Sequence, residues 1–237
     1  MKILVIDDKL VNREAARQTI VGHELTVVDG WDAAMEVMEV TYDKEAIKAK
    51  LVAAGMAPDF DSLRASFGNP KTAEEDKLWE DWWKSYYKFE NESRLPYWDI
   101  VLTDLMMPAS SETMGREGMR FVGQEMPIGL AIVLLAAQNG AKYVAVVTAA
   151  DHHSHPAVAM LDRVLSREGK PALTINGAQV MIGAHDAHPV DGTICAKCKA
   201  TSPEMAKCWT CDKTGKVLGK HWGKVMAQLL GEEVEDD

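Results

Sequence analysis

The chain has 237 residues and a formal net charge of −10, long enough for one large domain or two small ones. Apolar residues make up 47% of it, but the longest apolar run, Ile128 to Ala137, is broken by Gly129 and falls short of the roughly 18 residues that a membrane-spanning helix needs. The acidic balance argues against broad nucleic-acid binding, although seven lysines between 193 and 224 stand against only Glu204 and Asp212. The N-terminal MKILVIDD carries no small-residue cleavage site. All four cysteines lie between 195 and 211, so none can staple the rest of the chain. A soluble, cytoplasmic protein is the expectation.

Lys2 to Ile6 is a short β-branched run closed by Asp7-Asp8, which reads as a buried parallel strand. Val11 to Ile20 follows with helix-forming residues, with Asn12 as a candidate cap. Leu25 to Val28 is a second strand and Gly30 to Val40 a second helix. Ile100 to Thr103 is a third strand, again ending at an aspartate, Asp104. Met126 to Gln138 reads as an apolar helix stopped by a left-handed cap at Asn139-Gly140. Tyr143 to Thr148 is a fourth strand, Pro156 to Arg167 a helix, Val180 to Gly183 a fifth strand and Lys220 to Leu230 a last helix. This alternation predicts an α/β fold with a doubly wound, parallel, five-stranded sheet. Residues 41–96 interrupt it with helical patterns at Lys44–Ala54 and Ala73–Asn91. In the second, Leu78, Trp79, Trp82, Trp83, Tyr86 and Tyr87 recur at three-to-four spacing. The stripe is expected to pack on the domain itself, with a protein-partner surface as the alternative.

Parallel sheets bind ligands beyond the carboxyl ends of their strands. Asp7 and Asp8 follow strand one and Asp104 follows strand three. If the two strands are neighbours, three carboxylates converge, and a hard cation such as Mg²⁺ would relieve their repulsion. MKILVIDD, VLTDLMMP and VVTAAD, in that order, resemble the receiver domains of bacterial response regulators. The resemblance implies a flavodoxin-like fold with strand order 2-1-3-4-5. It makes Asp104 the phosphoacceptor, places Mg²⁺ on Asp7, Asp8, Asp104 and the carbonyl of Met106, and sets Thr148 against the phosphoryl oxygens. It also implies a histidine kinase or phosphotransfer protein as the phosphate donor. Receivers carry a lysine at the end of strand five. The fifth strand here, QVMIGAHD, has none, and Lys170-Pro171 precedes a strand instead of ending one. Weak coupling between phosphorylation and shape is therefore expected, with His185 as a substitute contact.

Cys195-x2-Cys198-x9-Cys208-x2-Cys211 forms two CxxC knuckles, the spacing of a closed tetrahedral thiolate site. Zinc in a structural role is expected, with iron in the same four-sulfur geometry as the alternative. His152, His153 and His155 follow strand four, and His185 and His188 follow strand five. These read as loop histidines near the acidic edge, and only secondarily as a second metal site. The whole then reads as a single receiver-like domain over 1–237, with a helical insertion at about 41–96 and a zinc-binding insertion at about 193–214. Two other functions share these residues: a pseudo-receiver that acts as an unphosphorylated interaction module, and a metal-dependent phosphohydrolase.

Overall fold

The computed structural model describes residues 1–38, 41–67, 72–95, 97–110, 116–148, 159, 173–183, 186–201, 203 and 205–232. The chain divides into two compact units, Met1–Glu39 with Tyr97–Asp237, and Val40–Pro96.

The larger unit is built on a sheet of strands β1 (Lys2–Ile6), β2 (Glu24–Val28), β5 (Ile100–Asp104), β8 (Tyr143–Val147), β9 (Leu173–Ile175) and β10 (Ala178–Gly183), in the order β2-β1-β5-β8-β10-β9. The first five run parallel in continuous register. The sixth strand departs from the expected five-stranded order. β9 pairs antiparallel with β10 because Asn176 (φ 48°) and Gly177 (φ 86°) make a two-residue left-handed turn, and so tight a turn joins only antiparallel neighbours.

Side-chain alternation along the strands divides the core into two layers. Leu4, Ile6, Val101, Val144, Val146, Val180 and Ile182 face helices α2 (Trp31–Val37) and α6 (Gly129–Gln138). Ile3, Val5, Ile100, Leu102, Ala145, Val147 and Met181 lie in the other layer, with α1 (Leu10–Thr19) and the last helix, α7 (Trp222–Leu230). Each of the larger of these side chains contributes about 1.5–3 kcal/mol on burial.

Several boundaries differ from the sequence reading. Asn12 lies inside α1 and does not cap it; Lys9 is the N-cap. Residues 125–126 form a short strand β7 paired with β6 (Met107–Pro108), so α6 starts only at Gly129. It ends at Gln138, with Asn139 as the C-cap and Gly140 at φ 89° supplying the left-handed residue. Lys220 ends a strand, β12 (Leu218–Lys220), which pairs with β11 (Ala187–Pro189); it does not open the last helix. The expected helix at 156–167 lies outside the described residues, apart from position 159.

In the smaller unit, β3 (Thr41–Tyr42) pairs with β4 (Arg94–Leu95), a short strand pair missed in the sequence. Between them run α3 (Lys44–Ala53), α4 (Phe60–Phe67) and α5 (Ala73–Glu92). Asp43 caps α3, and a Thr72–Glu75 capping box starts α5. Ile47, Leu51, Leu63 and Trp82 form its core, with Trp79, Trp83 and Tyr86 packed against them. The Trp82 indole N–H donates to the Ala57 carbonyl at 2.8 Å. Leu78 and Tyr87 remain half exposed. No helix among the described residues is long and apolar enough to cross a membrane.

Candidate functional site

β1 and β5 are neighbours, with Ile6 opposite Thr103. The residues that follow them therefore meet at one sheet edge, and carboxylate oxygens of Asp7, Asp8 and Asp104 lie within 4.8 Å of one another. Asp7 and Asp104 are buried and Asp8 is half-buried. Like charges held so close need compensation.

A lysine that the sequence reading did not assign provides it. Lys220, at the end of β12, is only 1% exposed. Its Nζ lies 2.8 Å from Asp7 Oδ2 and 2.8 Å from Asp104 Oδ1. Asn12 completes the frame. Its Nδ2 donates to both Asp7 oxygens at 3.0 Å, its Oδ1 accepts the Lys220 backbone N–H at 3.1 Å, and its carbonyl accepts the Trp222 indole N–H at 3.1 Å. The Lys9 backbone N–H also donates to Asp7 Oδ1 at 2.9 Å. Asp7 thus has two donors on each oxygen, the full capacity of a carboxylate.

Asp8 and Asp104 differ from it. Asp8 Oδ1 is buried and receives no hydrogen bond among the described residues. Burial, reinforced by the neighbouring Asp7 charge, raises its pKa above the ordinary carboxylate value. Burial raises the pKa of Asp104 too; the Lys220 ammonium opposes this and Asp7 adds to it. Among the described residues, the three carboxylates outnumber the one ammonium in contact with them, while Arg13 bonds the carbonyls of Asp7 and Asp8 at 2.8 and 2.7 Å. The three aspartates could together hold a metal ion, and Asp7, expected as one of its ligands, already accepts four hydrogen bonds. Asp8 Oδ1, buried and without a donor among the described residues, is the oxygen such an ion would take first.

The backbone around Asp104 is fixed from the other side. A Cβ on Gly129 would fall 2.1 Å from the Asp104 carbonyl oxygen, so only glycine lets α6 start this close. Val147 pairs with Asp104 and accepts the Leu105 N–H at 3.0 Å, which puts Thr148, buried, just past the end of the next strand. Met106 is buried two residues after Asp104. The fifth parallel strand ends at Gly183 without a lysine, as read from the sequence, yet the site is not short of an ammonium. Lys220 supplies from β12 the fixed positive contact that strand five lacks. His152, His153, His155 and His185 lie outside the described residues. His188 stacks edge-on against His221 with ring centroids 5.0 Å apart.

The four cysteines form a second cluster, all buried and unbridged, with their sulfurs within 4.8 Å of one another. Sγ–Sγ separations of 3.9 Å (Cys195–Cys208) and 3.6 Å (Cys198–Cys211) match the edge of about 3.8 Å that four Zn–S bonds of ~2.3 Å would give. A disulfide would need about 2.05 Å. Each knuckle is followed by two non-glycine residues at positive φ: Lys199 (49°) and Ala200 (55°), then Asp212 (45°) and Lys213 (62°). Such residues cost about 1–2 kcal/mol each, so the cluster has the build of a metal site that holds its backbone in place. It could hold a metal such as zinc.

Comparison with protein-family models, with curated proteins and with solved structures finds no match.

Proposed function

We propose that this chain is a receiver-like phosphoacceptor with a flavodoxin-like sheet, in which Asp104 takes a phosphoryl group from a small donor, a histidine kinase or a phosphotransfer protein. One observation carries the reading: the ammonium of Lys220 lies 2.8 Å from both Asp7 and Asp104 at the carboxyl ends of neighbouring parallel strands. A carboxylate nucleophile needs a fixed cation beside it to receive a group as anionic as phosphoryl.

Asp8, Asp104 and the carbonyl of Met106 would hold Mg²⁺, which when bound neutralises the phosphoryl oxygens. The Asp104 oxygen not engaged by Lys220 attacks phosphorus. The bond from phosphorus to the donor's leaving group breaks, its electron pair departs with that group, and an acyl phosphate remains on Asp104. Asp7, saturated with donors, anchors Lys220 during this change. As the Asp104 carboxylate becomes an ester-like group, the ammonium turns to the phosphoryl oxygens, with the Thr148 hydroxyl on the adjacent strand as a further contact. Arrival of the phosphate thus changes the bonding of a residue from a different arm of the fold, which supports strong coupling to shape in place of the weak coupling expected from sequence.

The test is mass spectrometry of the full chain after acetyl phosphate with Mg²⁺. A single phosphoryl adduct that hydroxylamine removes is expected, absent from Asp104→Asn. An adduct that persists in Asp104→Asn defeats the assignment. No adduct with any donor would favour the pseudo-receiver, in which the Lys220 ion pairs hold the site in one state.

A further inference from the structure

Lys220 reaches the carboxylates from an arm whose two strands, β11 and β12, share only three residue pairs. A two-stranded ribbon of that length is marginal by itself, and its strands are joined by residues 190–217, a long connection whose closure opposes pairing. The four cysteines all lie within that connection.

The path from the knuckles to Lys220 is continuous. The Cys195 N–H donates to the Gly215 carbonyl at 2.8 Å, the Val217 N–H to Thr193 Oγ1 at 2.9 Å, and the Val190 N–H to the Val217 carbonyl at 2.9 Å. From there the β11–β12 ladder runs to Lys220 opposite Ala187. Gly219 packs flush on α1, where an added Cβ would meet Ala15 Cβ and the Val11 carbonyl at 2.9 Å. Lys220 is therefore seated only while β12 lies in this register. The ladder that sets the register closes through Cys195 and Gly215, at the base of the cysteine cluster.

We infer that a zinc ion bound by Cys195, Cys198, Cys208 and Cys211 closes this arm and thereby places Lys220 between Asp7 and Asp104. Zinc occupancy is then a control on the carboxylate site exerted from outside it. A bare cluster of thiols has only weak hydrogen bonds to offer in place of coordination. The left-handed residues after both knuckles are free to relax, and the ladder loses its closed end. Metal binding of this kind is part of the folding free energy of the segment it closes. Lys220 placement stands independently of phosphorylation; only its consequence for Asp104 rests on the function proposed above.

The experiment uses the full chain under reducing conditions. Zinc is measured as purified, removed by chelation and then restored, and amide exchange is followed at 217–221 and, as internal control, at 143–147. About one zinc per chain is expected, and Co²⁺ in its place should show thiolate charge-transfer bands. Stripping zinc should accelerate exchange at 217–221 about tenfold or more with little change at 143–147, and restoring zinc should reverse it. Cys198→Ser should reproduce the stripped pattern, with chelation of wild type as the independent arm if that variant does not fold. Unchanged exchange at 217–221, equal acceleration of both segments, or failure to bind Zn²⁺ or Co²⁺ would each overturn the inference. Acetyl phosphate labelling is scored separately, so loss of the phosphoacceptor reading leaves this result interpretable.

Discussion

Asp7, Asp8 and Asp104 on one side, and the four cysteines on the other, each gather ligand atoms within 4.8 Å. Only the carboxylates carry their own cation. Lys220 and Asn12 hold that site together in the protein alone, and what is left over is a buried Asp8 oxygen with no donor among the described residues. The cysteine cluster has no such internal partner among the described residues, and its backbone carries four left-handed residues that only closure can justify. A site with an internal ammonium can exist empty and exchange its ion, as the proposed function requires. A site without one depends on a resident ion and suits a structural role.

Lys220→Ala tests the contrast hardest, because it removes the one ammonium that bonds Asp7 and Asp104 directly among the described residues. Two buried carboxylates lose their ion-pair partner, and a destabilisation of about 3–5 kcal/mol is expected, read from denaturant unfolding. Added Mg²⁺ should recover more stability in the variant than in the wild type, since the ion then stands in for the lost ammonium. Equal Mg²⁺ effects on both proteins would mean that the ammonium and the ion do not share a site.

Asp8→Asn sharpens the same contrast at intermediate size. The Asp8 carboxylate holds the one buried oxygen of the trio that no described residue satisfies, which under the proposed function is the oxygen an ion would take. Mg²⁺ affinity measured by Trp fluorescence should fall about tenfold, equivalent to roughly 1.4 kcal/mol, while stability without Mg²⁺ is unchanged or slightly higher. A fall in stability without any loss of affinity would make Asp8 a structural residue.

The parts of this comparison visible in sequence are those written in short range. β1, β5 and β8 appear as β-branched runs that end in Asp7, Asp104 and Thr148, and the knuckles appear in the spacing of four cysteines. The aromatic stripe of α5 marks its buried face through Trp82. What sequence did not reveal depends on long-range pairing. β12 has three residues, too few for any periodicity, and Lys220 is 213 positions from its partner Asp7. A lysine there looks like one more charge in a basic segment. The available signal was Gly219 before it, a residue that lets a strand lie flush on a helix. Asn12 hides its role for a related reason: near a helix start, asparagine suggests a cap, while Lys9 is the cap and Asn12 bonds Asp7 and a strand at the far end of the chain. The β9–β10 hairpin did have a local sign in Asn176-Gly177, a strong two-residue turn signal between apolar runs.

The smallest expected effect concerns Asp104 and pH. Its pKa is raised in the folded protein, chiefly by burial and against the pull of Lys220. For a group whose folded value exceeds its unfolded value, the favourable contribution is complete below the unfolded value of 3.8 and is lost as pH rises through the folded one. At neutral pH the ionised Asp104 therefore works against folding, even with an ammonium 2.8 Å away. Asp104→Asn keeps the shape and an oxygen for Lys220 to bond, and cannot ionise. Without added Mg²⁺ it should be more stable than wild type at pH 8, by about 2–4 °C in Tm for a chain of this size if the difference is ~1 kcal/mol. The gap should narrow steadily as pH is lowered toward the ordinary carboxylate range, where the wild-type side chain also becomes neutral. Thermal melts of both proteins across that range measure it. A variant less stable than wild type at pH 8 would mean that the Lys220 ion pair outweighs the burial of Asp104, and that the empty site is held by that pair instead of being poised to receive a cation and a phosphoryl group.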